Sequence, residues 1–443
     1  MEQKRYGLGT AIAMIIGTVI GSGIFFKSDN VLVATGKNVW LGVLAFCIAA
    51  FAISFGCITI SELAKRSEGS GGVISYADKF CGQHIASSFG WFFALVYYPA
   101  LCVVVSWVVG IYACMLFGIQ GKLDIQMLIG FIFLGLCILY NIYWPRFAGY
   151  FQQFSTVAKL IPLAVVGAIG LIFGNPEHLT VAGMDQATSN LGWISAVAPI
   201  AFAFDGWIVA TAISSELKNA KKNLPLAMLI SPLFILIAYL IYFVGISKLV
   251  GVEQITSLGD QHVNIAMSAL IGNWGTKVLL TFIIISVMGT VNGVSVAGVR
   301  APYALAERGL FPFSSKLVTK HAKTDMPLIS GLAFFIICSA WYIMHYFTVK
   351  YNWLPNSDIS EIAIVVQYLL YLVLYYKVIK LFQQKEIQTW TKGLLFPVFA
   401  ILGSLIMLYG GLQNPLAPHY VLFCIVVLIM GYAFSKIKQS IKL

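Results

Sequence analysis

The chain has 443 residues, of which 59% are hydrophobic and only 10% charged, and its mean hydropathy is +0.87. That composition excludes a water-soluble domain and describes a polytopic all-α membrane protein. The formal net charge of +11 does not indicate nucleic acid, because the lysines and arginines lie between apolar segments, where they set membrane orientation.

Twelve segments of spanning length follow one another: Gly7 to Phe26, Trp40 to Ile60, Ser87 to Phe117, Ile125 to Tyr143, Phe151 to Phe173, Leu191 to Ile213, Leu226 to Ile246, Thr276 to Ala297, Leu328 to Phe347, Ile359 to Ile379, Leu394 to Leu412 and Tyr420 to Phe434. The first run is too long for a secretory signal and has no small-residue cleavage site, so it is read as a retained span. With the amino terminus placed in the cytoplasm, 21 of the 28 basic residues fall on the inner side, six on the outer side, and Lys159 lies within a span. The positive-inside bias predicts that asymmetry only when span number and polarity are both right, so both termini are expected in the cytoplasm, in the plasma or inner membrane. Eight cysteines (Cys47, Cys57, Cys81, Cys102, Cys114, Cys137, Cys338 and Cys424) are scattered, without paired spacing. Neither a disulfide framework nor a metal site is expected, and no cofactor is implied.

The first span contains Gly17-Thr-Val-Ile-Gly21-Ser22-Gly23-Ile-Phe25 near its middle. Glycines weaken a helix, and an opened turn in hydrocarbon leaves amides and carbonyls unpaired unless they line a cavity or meet a ligand. The stretch is therefore read as a broken helix offering N–H groups on one stub and carbonyls on the other, the pair of partners a zwitterionic amino acid needs. The alternative is that Gly17-x-x-x-Gly21 only lets a neighbouring helix pack closely.

After the second span, Ser61-Glu62-Leu63-Ala64 and the Gly69-Ser70-Gly71-Gly72 cluster lead into a stretch where Val73, Tyr76 and Phe80 recur at helical spacing. This predicts an amphipathic helix on the inner face. In the fifth span Lys159 lies deep, with Pro162 a turn later. Its ammonium either snorkels to the surface or donates to carbonyls freed by a broken helix, in place of a bound cation.

The sixth span reads Pro199-Ile-Ala-Phe202-Ala-Phe-Asp205-Gly206-Trp207. A carboxylate at the centre of a membrane helix costs about 2.5–3.5 kcal/mol, so Asp205 should face protein or water. Interruptions at the same depth in the first and sixth spans point to a transporter whose site lies where the breaks meet, although Asp205 could also be a cap on local amides. Phe202, directly before this break, is a candidate to lie over a ligand, while most aromatics of the chain are packing or lipid-facing residues. Tyr239 and Tyr242 in the seventh span and Asn292 in the eighth are polar groups in apolar runs, which more often bridge helices than touch substrate. Between the eighth and ninth spans, Arg300 to Pro312 is expected as a polar inner loop with a helical turn. The outer loops Gly251 to Asn273 and Thr348 to Ser360 are long enough to cover an entrance.

Together, Gly17 to Phe25, the loop from Ser61 to Tyr76, Phe202 to Trp207, and Tyr303-Ala-Leu-Ala-Glu307-Arg308-Gly309 with Pro312 resemble the amino acid, polyamine and organocation transporter superfamily. The sixth-span motif and Lys159 are similar to the L-type amino acid transporter branch and its bacterial serine/threonine and alanine/serine/cysteine exchangers. The resemblance implies two inverted five-helix repeats, at residues 1–174 and 188–380, with helices 1 and 6 discontinuous, and two further helices at 390–443. It implies sodium-independent exchange of small neutral L-amino acids by alternating access. Carried over by position, the amides of Gly21, Ser22 and Gly23 and the Ser22 hydroxyl would hold the substrate carboxylate. The carbonyls of Val19, Phe202 and Asp205 would take the ammonium, Phe202 would gate the site, and Lys159 would stand where sodium-coupled relatives hold sodium. Tyr239 and Asn292 are candidates for gating and coupling. Asp205 stands where branch members carry Gly, which implies a smaller side-chain pocket. Animal members pair with a glycoprotein through a cysteine between spans three and four. The corresponding loop, Gly118 to Asp124, has no cysteine, so a chain without a disulfide-linked heavy subunit is expected.

The near rival is a proton-coupled or cationic amino acid or polyamine carrier, for which Asp205 is the one acidic side chain deep in a span. An enzyme would need clustered His, Cys, Asp or Glu within the spans, and these are absent from the sequence pattern. An ion channel would carry a short re-entrant filter or rings of charge, whereas these segments are full length.

Overall fold

The computed structural model describes residues 6–21, 23–26, 28–67, 71–119, 122–179, 191–258, 262–354, 358–413 and 416–441. The first apolar run folds as α1, Leu8–Val19, and a short α2, Gly23–Phe26, followed by α3, Ser28–Ala34. Among the described residues ten helices are long and apolar enough to cross a membrane. They are α4 (Val39–Arg66), α6 (Gln83–Phe117), α7 (Leu123–Tyr143), α8 (Pro145–Phe173), α10 (Ala220–Val250), α11 (Trp274–Glu307), α12 (Leu328–Lys350), α13 (Glu361–Gln383), α14 (Thr391–Leu412) and α15, which continues to Ile441 from Ala417. Between α4 and α6 lies the amphipathic α5, Val73–Cys81, at the position the spacing predicts, with Val73 and Tyr76 buried. The sixth apolar run is α9, Val197–Ala203, then a turn, then a 3₁₀ segment, Trp207–Glu216.

The interrupted α1 packs against α8, α10 and α11, while α10 leans on both α4 and α8. Lipid tails are as apolar as leucine, so helices in a membrane gain by close approach rather than by exclusion of water. Where α8 meets α10 the backbones nearly touch. A Cβ added to Gly245 would stand 2.5 Å from the Gly167 carbonyl oxygen and 2.7 Å from its Cα.

Two features differ from the sequence expectation. First, α11 continues through Pro302 to Glu307, so Arg300 to Glu307 is helix rather than loop; the Arg300 guanidinium donates to the Val296 carbonyl one turn back (2.7 Å) and pairs with Glu216 (2.6 Å). Second, α6 carries a π-turn at Phe93–Tyr97 before Pro99. Proline cannot donate to the carbonyl four residues back, and that freed Leu95 carbonyl accepts instead from the Trp341 indole of α12 at 2.7 Å.

The α8–α10 contact leaves no room for a side chain. Gly245→Leu is expected to destabilise the protein by about 3 kcal/mol, the upper range for overpacking, read as a fall in thermal midpoint of the purified protein, whereas Gly9→Ala, whose added Cβ has nothing within 4 Å, leaves it unchanged.

Candidate functional site

Helix α1 ends because Ile20 leaves helical geometry (φ −72°, ψ 94°) just before Gly21. A helix end exposes its last carbonyls, which in hydrocarbon must find donors. Here each donor is a side chain from another helix. The Lys159 ammonium of α8 donates to the Gly17 and Ile20 carbonyls and lies 3.3 Å from Thr290 Oγ1 of α11. Thr290 in turn donates toward Gly17 O at 3.3 Å. Lys159 is completely buried, so of its two sequence readings, snorkelling is not the one adopted. A cation at the carboxyl end of a helix also meets the negative end of the macrodipole.

The second break is built differently. α9 stops at Ala203, and the chain turns through Gly206 at φ +95°, a left-handed value that favours glycine. A Cβ at Gly206 would meet Thr18 Cγ2 of α1 at 2.7 Å, so the two interruptions lie against each other. One hydroxyl joins them: Tyr239 of α10 donates to the Ala203 carbonyl at 2.7 Å and lies 3.2 Å from the Val19 carbonyl. Tyr239 therefore bridges helices, and the helices it bridges are the two broken ones.

Asp205 sits in the turn, buried. Its carboxylate accepts from the Tyr97 hydroxyl at the end of the π-turn (3.0 and 3.1 Å) and from Gln367 Nε2 of α13 (3.0 Å). Gln367 also donates to the Tyr371 hydroxyl at 2.5 Å, and the Trp207 ring lies 5.2 Å from that of Tyr371. Among the described residues no basic side chain pairs with Asp205. It is thus more than a cap on its own turn, since its two side-chain donors come from helices far away in sequence.

Asn292, the remaining coupling candidate, stands apart from both breaks. It donates to Gln152 Oε1 (2.6 Å) and the Ala148 carbonyl (3.1 Å) of α8 and accepts from Asn141 of α7 (3.0 Å), a knot that locks α7, α8 and α11. Thr156, a turn beyond Gln152, donates to the Ala13 carbonyl of α1 at 3.0 Å. Gly21 and Gly23 flank the first break, and both are buried. Ser22 and the side chain of Phe202 lie outside the described residues. Tyr97, Gln367 and Thr290 were not singled out in the sequence. Gln367 and Thr290 are polar residues in apolar runs, the same signal that marked Asn292, but nothing local says which of these faces a break.

An all-helical membrane bundle with two interrupted helices clasped at one tyrosine is the architecture of a transporter rather than of an enzyme. The chain belongs to the amino acid permease family, whose model matches residues 6–434, and is a multi-pass membrane amino acid transporter. It is 29% identical over 412 residues to the serine/threonine exchanger SteT of Bacillus subtilis, covering 92% of this chain and 90% of that one. It is 24% identical to the mouse b(0,+)-type amino acid transporter 1, over 98% of this chain and 87% of the relative. The human cystine/glutamate transporter is 26% identical over 74% of this chain and 66% of its own length.

Asp205→Asn keeps an acceptor for Tyr97 and Gln367, whereas Asp205→Ala orphans both donors at a cost of about 1–3 kcal/mol. Thermal unfolding should therefore rank wild type and Asn together and Ala clearly below them. Equal midpoints for Asn and Ala would mean that the two donors do not depend on this carboxylate.

Proposed function

We propose that this transporter is a sodium-independent exchanger of small neutral L-amino acids, such as alanine, serine, cysteine or threonine, working by alternating access. The observation that carries the reading is the Lys159 ammonium on the Gly17 and Ile20 carbonyls. A fixed positive charge already satisfies the oxygens that a coupling cation would otherwise need. The amides of Gly21, Ser22 and Gly23 then take the substrate carboxylate, and the carbonyls of Val19, Phe202 and Asp205 its ammonium. The Tyr239 hydroxyl lies against Val19 and Ala203 in this structure, so an arriving ammonium competes with it for the same helix ends. Release of that hydroxyl is the step through which binding reaches α10. Phe202 acts as the gate, and Asn292 holds the α7–α8–α11 group as one unit while the broken helices move.

The inverted repeats at residues 1–174 and 188–380, with added helices at 390–443, supply the two halves that rock about the site. The basic residues favour a cell-membrane orientation with both termini in the cytoplasm, and the Gly118 to Asp124 loop without cysteine favours a chain that works without a disulfide-linked heavy subunit. What the backbone site reads is common to all amino acids, so selectivity resides in the side-chain pocket, where Asp205 takes up space. The resemblance to a serine/threonine exchanger supports small polar substrates.

A second reading has one observation in its favour: among the described residues the Asp205 carboxylate meets neutral donors alone, the Tyr97 hydroxyl, Gln367 Nε2 and the Gly206 backbone amide, which leaves its charge available to a cationic substrate or a transported proton. Counterflow in proteoliposomes separates the two. Uptake of labelled alanine or serine should require unlabelled amino acid inside, ignore imposed sodium and pH gradients, and be competed by serine and threonine more strongly than by arginine. A sodium-driven signal would sink the first reading, and arginine competition or pH-gradient drive would establish the second.

For the coupling role, Lys159→Ala should lower the maximal exchange rate about tenfold, equivalent to ~1.4 kcal/mol in the barrier, with a smaller change in the half-saturating substrate concentration. Unchanged exchange in that variant removes Lys159 from the mechanism.

A further inference from the structure

Away from the helix breaks, between α5 and the last turns of α13, lies a cavity of about 300 Å³ whose lining includes Lys79, Phe80, Lys377, Lys380, Gln384 and Glu386. Three ammonium groups face one carboxylate there. Among the described residues, none of the three lysines forms an ion pair. Lys79 donates to the Arg66 carbonyl at the end of α4, which ties the amphipathic helix to α4. Lys380 lies 5.3 Å from the centre of the Tyr376 ring. Three like charges against a single carboxylate leave a net positive cavity, and an anion bound among them offsets that excess.

The surface leading to the cavity selects the anion. On α13, Leu369, Val373, Tyr376 and Lys380 follow at spacings of four, three and four, which places them along one face of the helix. The first three are exposed large apolar or aromatic side chains, and Lys380 is exposed at their end. An apolar stripe of about 10 Å, at 1.5 Å rise per residue, thus ends in a basic cavity at the lysine-rich ends of the helices. This is the shape of an acyl chain joined to a negatively charged headgroup, and basic pockets between membrane helices bind such headgroups.

We propose that this cavity is a binding site for an anionic phospholipid, its phosphate held by Lys79, Lys377 and Lys380 and its acyl chain lying along Leu369, Val373 and Tyr376. The lipid bridges α5 and α13, and α13 is the helix whose Gln367 holds Asp205.

The test is thermal unfolding of the purified full-length protein in detergent, titrated with dioctanoyl phosphatidylglycerol, dioctanoyl phosphatidylcholine or inorganic phosphate. Phosphatidylglycerol should raise the midpoint saturably, and the other two should not. The triple variant Lys79→Gln, Lys377→Gln, Lys380→Gln should have a midpoint without lipid no lower than that of the wild type and need at least about tenfold more phosphatidylglycerol for half of the shift. The exposed control set Lys218→Gln, Lys222→Gln, Lys323→Gln should leave the titration unchanged. If the triple variant does not fold, Lys380→Gln alone must show a weakened titration. An equal rise with inorganic phosphate overturns the lipid assignment. An equal rise with phosphatidylcholine, no rise at all, or equal weakening in the control set overturns the site.

Discussion

Every part of this bundle answers to one constraint: a helix opened in the middle of a membrane leaves backbone oxygens that water cannot reach. At the end of α1 the Gly17 and Ile20 carbonyls would be orphaned, and both find the Lys159 ammonium of another helix, while the Tyr239 hydroxyl lies against the Val19 carbonyl. The break is stable only because α8, α10 and α11 hold those donors in place. This makes the first interruption a tertiary object, although its cause is local.

The two interruptions solve the problem with opposite charges. The first is capped by a buried ammonium, the second contains a buried carboxylate, and no ion pair joins Lys159 to Asp205 among the described residues. Each charge is compensated by dipoles instead: carbonyls around Lys159, and a phenol and an amide around Asp205. Neutral partners hold a charge without fixing it to one counter-ion. The nearby ion pair, Glu216 with Arg300 at 2.6 Å, is structural in placement, tying the end of the 3₁₀ segment to α11.

Close packing supplies the rigidity that these networks need. Gly167 and Gly245 let α8 and α10, the helices that carry Lys159 and Tyr239, approach to backbone contact, so the two donors that satisfy α1 are themselves mounted on one rigid pair. The Asn141–Asn292–Gln152 knot fixes α7 and α11 to the same pair. These contacts make α7, α8, α10 and α11 one frame around the two broken helices.

The sequence by itself determined the class: hydropathy and the charge asymmetry marked the spans, glycine at 17, 21 and 23 marked the first break, and Asp205-Gly206 marked the second, because composition and local backbone strain are written residue by residue. It also placed Lys159 deep in a span, while leaving open whether the ammonium reached the surface. Only the tertiary structure decided that it caps α1. That outcome depends on which helix lies beside α8, and no local pattern encodes it. The same holds for Tyr97 and Gln367 around Asp205, more than 100 residues away on either side, and for Tyr239 between Val19 and Ala203. The continuation of α11 through Pro302 was hidden for the same reason: Arg300 looks like a loop residue until Glu216, brought from another segment, gives its charge a buried partner.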